Sequence, residues 1–579
     1  MKISNSAKAS SWSVKKIVVV GPGIVGMPMA ALLAHARICE GTDEPAKVVI
    51  IQRNSATSGW KVDAINSGQS PIGGVEPDLN QIVKESFEAG LLRASHSYSE
   101  VQDADVILIS VQTDKKGFEP DYGPLFEALA HIAKALQNKP PDKVPLIIFE
   151  STLAPSSMAT LIRDFFAQNG LHEGREILLG NSPNRVMPGR LVERVACSDK
   201  IIGGLNEKTP DLIKRLYSRI VTAGELCSTN SLTAEVVKTL ENAYRDVRIA
   251  YAAEIVRYCD EYDIDFYEVR QQVNARLALT DCASDDSNSV PSGGILIPTI
   301  GVGGHCLPKD GILLWWRMIE SGAETSASLI LEARKINDES PASTTRLAER
   351  HFGGLSQKSV ALLGAAYRFN SEDTRNSPTF VLAKLLMEKG CKVLIHDPYV
   401  KHTDQNLIKF ALQAYFTRDL EQAVQSSDYV IFCSAHGVYS EEHDRIVEMA
   451  SHLKGIVDGC NLFRQSDFAS RNIRYTGIGR GTKSPPQEFL NFVYDGFRIM
   501  EQGIANELCE LINFLNERYV NDDFNKIDFK EVQRLAGTCV TGCIIADPRP
   551  IDDLPSYRGF SSRLVQRAKS RNGQHNALR

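Results

Sequence analysis

A short glycine-rich segment in the middle of the chain contains the residues best suited to covalent chemistry. The segment GVGGHCLPKD places Cys306 after two glycines and beside His305, with Lys309 and Asp310 close behind. A thiolate is the reactive form of cysteine, and an exposed position with cationic neighbours favours it. The pattern therefore predicts a nucleophilic cysteine. A packing role for His305 and a solvated charge at Lys309 are the alternative interpretations.

A second glycine-rich turn lies near the start of the chain. Residues 16–20 are mostly β-branched and lead into GPGIVG, after which residues 27–36 are rich in Ala, Leu and Met. This order predicts a strand, a glycine turn and a helix, in which backbone N–H groups can approach a pyrophosphate. The placement favours dinucleotide binding over a purely structural turn. The residues predicted to contact the cofactor are Gly21, Gly23, Ile24, Val25, Gly26, Arg53, Thr113 and Arg375.

The end of the second predicted strand, residues 48–51, bears on which nicotinamide cofactor is used. A carboxylate at this point normally accepts hydrogen bonds from the adenosine ribose, but here the strand leads into Gln52, Arg53 and Asn54. Without a carboxylate here, nothing at this position would repel the 2′-phosphate of NADP, and Arg53 could pair with that phosphate. NAD is the expected cofactor and NADP the alternative. The alternative interpretation of Arg53 is an exposed arginine beside a NAD site, without contact to a 2′-phosphate.

Strand-like and helical segments alternate twice along the chain, which predicts an α/β fold with two Rossmann-like, doubly wound domains. A long helix over residues 232–262 joins them, and the segment 280–292, rich in Asp, Ser and Asn, is predicted to be a loop above the site. The predicted divisions are an NAD(P)-binding domain at 1–228, a central helical region at 229–340, a second Rossmann-like domain at 341–480 and an extension at 481–579.

The extension follows a Lys-Ser-Pro-Pro segment and begins with an amphipathic helix near residues 488–519. The last part of the chain has many Arg and Lys residues and no acid, so we expect it to be disordered. The extension is therefore predicted to be helical and partly disordered.

The composition narrows the choice of partners and compartment. The net charge of −6 over 579 residues argues against nucleic acid as the main partner. The 12 cysteines are scattered, which favours reduced thiols in the cytoplasm, and Cys539 with Cys543 is only a weak metal-binding signal. No metal site is predicted. The polar first 15 residues and the lack of a long apolar run predict no membrane insertion.

Several motifs occur in an order that resembles one enzyme family. They are GPGIVG, INSGQSPI, ESTLAP, SPNRVMPG, KTLEN, GGHCLPKD and GAAYRFNSEDTRNSP, spread over residues 16–480. This set resembles the UDP-glucose/GDP-mannose dehydrogenase family. The resemblance implies two NAD-dependent oxidations of a nucleotide sugar at C6, through a cysteine-bound thiohemiacetal and thioester. It also implies a homodimer or higher homo-oligomer with the central region at the interface. The motifs GGHCLPKD and SPNRVMPG are more similar to those of the branch that acts on UDP-N-acetylhexosamines than to those of the branches that act on UDP-glucose or GDP-mannose.

The resemblance assigns roles to five candidate catalytic residues. Cys306 is similar to the nucleophile and Asp310 to the carboxylate that acts with a water in proton removal. Lys238 and Asn242 are four residues apart on the long helix, hence on one face, where they could stabilise an oxyanion. Thr152 is similar to the residue that orients the catalytic water. Without the resemblance, Lys238 would be interpreted as part of a solvated helix face.

The substrate site is predicted to include the oxyanion donors of the long helix and five further residues. The whole predicted set is Asn184, Arg185, Lys238, Asn242, Arg276, Gly303 and Arg368. For Arg276 the alternative interpretation is a surface charge. For Arg368 and Arg375 the alternative is a structural ion-pair set with Glu372 and Asp373.

Two positions depart from the family pattern. Ser156 stands where family members often have glycine. Asn184 stands where a glutamate that assists thioester hydrolysis is usual, and an amide cannot accept a proton at neutral pH. Thioester hydrolysis is therefore expected to be slower, to use another carboxylate or to rely on positioned water alone. If slow hydrolysis limits turnover and Asn184 occupies the site of that glutamate, Asn184→Glu is expected to raise the steady rate.

Two other functions stay open from the sequence. A two-electron hydroxyacid dehydrogenase would share the glycine turn and the long helix but needs no cysteine. A nucleotide-sugar-binding protein without turnover would fit Gln52, Asn184 and the extension.

Overall fold

The computed structural model describes residues 12–278, 294–468, 473–539, 542–551, 557 and 560–575. The predicted loop at 280–292 lies outside the described residues.

The N-terminal domain is built on a sheet of short, β-branched strands that are almost completely buried, as expected for strands covered on both faces. Its strands are β1 (Lys16–Val20), β2 (Lys47–Ile51), β3 (Leu92–Ser95), β4 (Val106–Ile109), β5 (Asp114–Lys116), β6 (Glu119–Asp121), β7 (Leu146–Phe149), β8 (Leu178–Asn181), β9 (Lys200–Gly204) and β10 (Leu226–Asn230). The sheet order is β3-β2-β1-β4-β7-β8-β9-β10, and β5 and β6 form a separate antiparallel hairpin. All pairs in the large sheet are parallel except β8 with β9.

Helices cover both faces of this sheet and form one apolar cluster on each side. They are α1 (Gly26–His35), α2 (Trp60–Ile65), α3 (Leu79–Glu88), α4 (Gly123–Leu136), α5 (Arg163–Gln168), α6 (Leu191–Cys197) and α7 (Thr209–Tyr217). The strand order reverses between β1 and β4, and the glycine turn follows β1 at this point. A ligand crevice is expected at the carboxyl ends of these strands.

The central region is helical and is organised around one long helix. Its helices are α8 (Ser231–Tyr262), α9 (Phe266–Ala278), α10 (Leu307–Glu320), α11 (Leu329–Asp338) and α12 (Ser340–Phe352). Helix α8 begins after Asn230, whose side chain accepts a hydrogen bond from Thr233 N at 2.7 Å, and ends before Asp263, which is left-handed (φ 60°). Residues 231–241 are all buried, so the first three turns of α8 are enclosed on every face.

The second Rossmann-like domain has a fully parallel six-stranded sheet in the order β13-β12-β11-β14-β15-β16. Its strands are β11 (Ser359–Leu363), β12 (Lys392–His396), β13 (Phe416–Thr417), β14 (Tyr429–Phe432), β15 (Gly455–Asp458) and β16 (Arg474–Gly477). Its helices are α13 (Pro378–Glu388), α14 (Gln405–Lys409), α15 (Leu420–Val424), α16 (Gly437–Glu441) and α17 (His443–Met449). Two doubly wound domains joined by a long helix confirm the predicted fold class.

The extension is a packed part of the protein. It contains α18 (Gln487–Tyr519), α19 (Phe529–Gly537) and α20 (Arg563–His575). The apolar side of α18 joins the same core cluster as α8, α9 and α11. In the part of the chain that the structure describes, no helix has both the length and the apolarity needed to cross a bilayer.

The prediction that the basic end is disordered is wrong for residues 563–575, which form α20. The reason is that acidic groups from distant parts of the chain neutralise its first turn. Arg563 N donates to Glu254 at 2.7 Å, and the Arg563 guanidinium pairs with Glu332 and Glu339. Leu564 is fully buried beneath this turn. None of these partners is near in sequence.

Candidate active site

A cleft of about 440 Å³ opens where the glycine turn, α8, the cysteine loop and the second Rossmann-like domain meet. It brings together most of the residues that the sequence predicted for substrate and catalysis. Those that line it are Arg185, Lys238, Asn242, Gly303, Cys306 and Arg368. Ile24 and Arg375, which were predicted to contact the cofactor, line it too. The described residues of the extension also reach the cleft, through Cys539.

Cys306 lies at the amino-terminal end of α10 and is partly exposed in the cleft. The positive end of the helix dipole therefore faces the negative charge that develops during nucleophilic attack. Arg375 is within electrostatic range of the sulfur and adds a second positive charge. The local geometry thus suits a covalent nucleophile.

His305 does not serve as a cation beside Cys306. Burial, with the nearby Lys309 and Arg375 charges, lowers the pKa of His305 to about 4, so the imidazole is neutral near pH 7. Its Nε2 contacts the carbonyl oxygen of Thr113, which requires the proton on Nε2. His305 therefore connects the cysteine loop to the segment between β4 and β5.

Asp310 is completely buried behind the cleft surface. Its carboxylate accepts a hydrogen bond from Asn242 Nδ2 at 2.6 Å and one from Lys309 Nζ at 2.8 Å. Lys309 is 2% exposed, so the interpretation of Lys309 as a solvated charge is wrong. This pair fixes the amide of Asn242 at the cleft surface, one turn of α8 from Lys238.

Lys238 is 8% exposed, so the solvated-face interpretation is wrong for this residue as well. Its Nζ donates to the backbone carbonyl of Asn184 at 2.6 Å, which leaves further N–H donors on the ammonium group. The ammonium therefore lies at the cleft wall, where it can contact an oxyanion.

The Asn184 side chain does not line the cleft. Its Nδ2 donates to the buried carboxylate of Glu150, and its Oδ1 accepts from Lys200 Nζ at 3.1 Å. Lys200 Nζ also pairs with Glu150 at 2.9 Å. Burial raises the pKa of Glu150 and lowers that of Lys200, and their mutual attraction opposes both shifts. Only the Asn184 backbone reaches the site, through Lys238.

Arg185 lines the cleft, but protein acceptors occupy all five of its N–H groups. Nε and Nη2 donate to the Glu241 carboxylate, Nη1 donates to Asp199 O at 3.0 Å and Thr538 Oγ1 at 2.8 Å, and Nη2 also donates to Leu535 O at 3.0 Å. No N–H group is left for a substrate. Direct substrate binding by Arg185 therefore has no support in this geometry.

Two other arginines in the cleft are without a hydrogen bond or ion pair to any residue that the structure describes. Arg368 Nε is buried and unpartnered, and its guanidinium lies over the Phe369 ring at 4.9 Å. Arg245 lies seven residues after Lys238 on α8 and lines the same cleft. Burial lowers the pKa of both groups. Free, partly desolvated guanidinium groups suit the phosphates of a nucleotide.

The sequence analysis missed Arg245. Helical spacing could have found it, because positions 238, 242 and 245 fall on one face of α8.

The segment after β11 supports the cysteine loop. Arg375 Nε donates to Asp373 Oδ1 at 2.8 Å, which matches part of the ion-pair alternative, yet Arg375 also lines the cleft. Asn376 Nδ2 donates to Gly304 O at 2.9 Å. A Cβ at Gly303 would overlap Tyr367, so only glycine fits at this close approach.

The glycine turn fits a dinucleotide. Gly21 has a φ of 97°, and a Cβ there would lie 2.9 Å from the Ser110 carbonyl oxygen, while a Cβ at Gly26 would overlap Gly21 O. A Cβ at Gly23 would meet nothing within 4 Å, so open space lies above the turn where a pyrophosphate would sit. Val25 precedes the first residue of α1, whose amino-terminal end faces this space.

Gln52 and Arg53 directly follow β2, where the adenosine ribose of a dinucleotide is expected. Gln52 Nε2 donates to Ser58 Oγ at 2.9 Å, and Arg53 is 60% exposed with Nη1 3.4 Å from Glu127 Oε2. Arg53 is thus held only loosely.

The opposite end of the groove is joined to the cysteine loop. Thr113 Oγ1 donates to Thr152 O at 2.7 Å, and Thr113 O is the partner of His305. Thr113 and Thr152 therefore lie together next to the segment that contains Cys306.

Two further positions singled out from the sequence, Arg276 and Ser156, lie outside the cleft. Arg276 is exposed on α9, with its guanidinium 3.6 Å from the ring centre of Tyr494 on α18, and it does not line the cleft. Ser156 has a φ of 74°, which explains why glycine is favoured there. Its backbone N–H donates to the Glu235 carboxylate and its side-chain Oγ accepts from Arg317 Nε, both at 2.8 Å.

The comparisons with known proteins agree with this architecture. The UDP-glucose/GDP-mannose dehydrogenase family models match in order: the NAD binding domain at residues 15–221, the central domain at 232–339 and the UDP binding domain at 361–465. A UDP-N-acetyl-D-mannosamine dehydrogenase of Pyrococcus horikoshii is 31% identical over 471 residues, which cover 80% of this chain and 99% of the relative.

Two solved structures are similar over the same part of the chain. That of UDP-D-ManNAc dehydrogenase from Pyrococcus horikoshii has a TM-score of 0.66 at 30% identity and covers 80% of this chain and 99% of its own. That of NDP-N-acetyl-D-galactosaminuronic acid dehydrogenase from Methanosarcina mazei has a TM-score of 0.63 at 30% identity, with 81% and 96% covered. With three consecutive domains matched around one cleft, the chain belongs to the UDP-glucose/GDP-mannose dehydrogenase family and contains its NAD-binding domain.

Proposed function

We propose that this protein oxidises the C6 hydroxymethyl group of a UDP-N-acetylhexosamine to a carboxylate in two NAD-dependent steps through Cys306. The observation that carries this proposal is that Cys306, Lys238 and Asn242 line one cleft between two Rossmann-like domains, together with two arginines that pair with no residue the structure describes. Relatives named for UDP-N-acetyl-D-mannosamine favour that substrate class, with UDP-glucose next.

The chemistry divides between the cofactor and the side chains. NAD, bound at Gly21, Gly23 and the Thr113 end of the groove, would accept a hydride in each oxidation. The first oxidation leaves an aldehyde at C6. The Cys306 sulfur attacks that carbon, a C–S bond forms, and the carbonyl electrons move to oxygen. The Lys238 ammonium and the Asn242 amide are the donors available to this oxyanion.

The second oxidation converts the thiohemiacetal into a thioester, which water must then cleave. Attack by water breaks the C–S bond, returns the thiolate of Cys306 and releases the acid. The Asn184 side chain faces Glu150 and Lys200 instead of the cleft, so it offers no base for this step. We therefore propose that thioester hydrolysis limits turnover.

The test is a panel of UDP-N-acetylmannosamine, UDP-N-acetylglucosamine, UDP-N-acetylgalactosamine, UDP-glucose and GDP-mannose, followed by NADH absorbance. We expect oxidation of a UDP-N-acetylhexosamine by the wild type and none by Cys306→Ala. Quenching during turnover and intact-mass spectrometry should detect a sugar adduct on Cys306. Turnover that survives Cys306→Ala would contradict the proposal, and tight UDP-sugar binding without turnover across the panel would favour a binding protein.

A further inference from the structure

The extension beyond residue 480 lies outside the three matched family models, the last of which ends at residue 465. It nevertheless reaches the candidate substrate cleft. Helix α19 packs against α8, and the residues at its end hold Arg185: Leu535 accepts through its carbonyl at 3.0 Å and Thr538 through its hydroxyl at 2.8 Å. The extension thus takes part in one of the buried charge networks of the site.

Within this network, Glu241 forms its ion pair with Arg185 and not with Arg245. Glu241 and Arg245 are four residues apart on α8, a spacing at which glutamate and arginine normally pair on the helix surface. Here both Glu241 oxygens accept from Arg185 instead, and the side chains of this pair are 5% and 4% exposed. Arg245 makes no ion pair with any residue that the structure describes, although it lines the cleft beside Glu241.

We infer that the extension is a positioning element for the substrate site. By holding Arg185 on Glu241, it keeps that carboxylate away from Arg245 and leaves the Arg245 guanidinium free to bind the diphosphate of the substrate. The assignment of a diphosphate substrate rests on the proposed function. Thr538 and Arg185 act through Glu241 and Arg245, so they are positioning residues.

Removal of Arg185 would change the balance of charge at the cleft. Without Arg185, Glu241 is a buried carboxylate that has lost its ion-pair partner, and Arg245, one turn further along α8 and lining the same cleft, is a cation placed to take over that pairing. Pairing with Glu241 would remove Arg245 from the cleft, and the freed negative charge would also repel a diphosphate. A neutral residue at position 241 should cancel both effects.

The decisive experiment measures UDP binding by isothermal titration calorimetry on the full chain, together with kcat and the KM values for UDP-sugar and NAD. Arg185→Met should weaken UDP binding about tenfold or more, with a similar rise in the KM for UDP-sugar and little change in the KM for NAD. Arg185→Met/Glu241→Gln should return the Kd to within about threefold of wild type.

A milder variant covers the case in which Arg185→Met does not fold. Thr538→Val removes one hydrogen bond to Arg185 and should weaken UDP binding about threefold. Thr229→Val is the matched control, because Thr229 Oγ1 donates to Glu531 of α19 at 2.8 Å at a site that does not line the cleft. It should leave UDP binding unchanged.

The inference is overturned if Arg185→Met and Thr538→Val bind UDP as the wild type does. It is equally overturned if Glu241→Gln fails to restore binding in the Arg185→Met chain, because a loss that persists without both charges reflects a general structural role. UDP binding needs no turnover, so a wild type that binds UDP and oxidises no nucleotide sugar would contradict the proposed function and leave this test intact.

Discussion

The buried environment of Asn184 leads to a prediction that reverses the expectation from sequence. A glutamate at position 184 would place a second carboxylate beside Glu150, where Asn184 now donates a hydrogen bond, and the two carboxylates would share Lys200, which contacts both side chains. Asn184 is 7% exposed and Glu150 is 2% exposed, so water cannot screen the two charges. Asn184→Glu should therefore destabilise the N-terminal domain without supplying a base to the cleft.

The size of the effect follows from the geometry. Two unit charges about 4 Å apart repel by about 4 kcal/mol at an effective dielectric constant near 20. Leaving a buried charge uncompensated costs a similar amount, about 3–5 kcal/mol. For a domain of this size, such a loss corresponds to a decrease in Tm of roughly 10 °C. The backbone carbonyl that holds Lys238 belongs to the same residue, so kcat should fall as well.

Thermal unfolding and steady-state kinetics of Asn184→Glu test this prediction, with Asn184→Ala as a control that removes the hydrogen bonds and adds no charge. The destabilisation should be larger for glutamate. It should shrink as the pH falls, because the raised pKa of the new carboxyl in the folded state means that its penalty is lost on protonation. A glutamate variant with unchanged Tm and faster turnover would show that the side chain faces the cleft and would refute the reasoning.

Three further predictions concern the cysteine loop and the cofactor. Asp310→Asn should lower kcat by about 10²-fold or more and reduce Tm, because Lys309 loses its buried partner and Asn242 its orientation; normal kcat would remove Asp310 from the reaction. Arg53→Ala should lower kcat/KM for NADP about fivefold or more and leave that for NAD nearly unchanged, whereas equal losses for both cofactors would exclude contact with a 2′-phosphate. For His305, the unfolded state takes up a proton near pH 6.5 and the folded state only near pH 4, so stability is lost as pH falls between these values. The Tm advantage of the wild type over His305→Gln should therefore decrease from pH 7 to pH 4.5, and a constant difference would contradict a neutral buried His305.

Local signals were sufficient to predict most of the fold. Buried β-branched runs marked the strands, the glycine turn marked the first strand–helix unit, and the unbroken periodicity over residues 232–262 marked α8. The order of α20 could not be predicted in this way. Its basic first turn is stabilised by Glu254, which is 309 residues away from Arg563 in the sequence. A local sequence pattern cannot predict a partner at that separation.

In the candidate site, too, some features follow from local motifs and others depend on contacts between distant elements. Cys306, Lys238 and Asn242 could be proposed as candidates because each lies in a motif that resembles the family's, and the structure brings them to one cleft. The orientation of Asn184 and the full commitment of Arg185 depend on contacts with Lys200 and Thr538 from other elements. Residue type suggested that both side chains face the substrate, but packing directs them to protein partners.

The number of NADH molecules formed per nucleotide sugar consumed tests the central claim most directly. With limiting UDP-N-acetylhexosamine and excess NAD, the four-electron route through Cys306 predicts two NADH and one uronate at completion. One NADH with a stable carbonyl product would contradict it and favour a two-electron dehydrogenase.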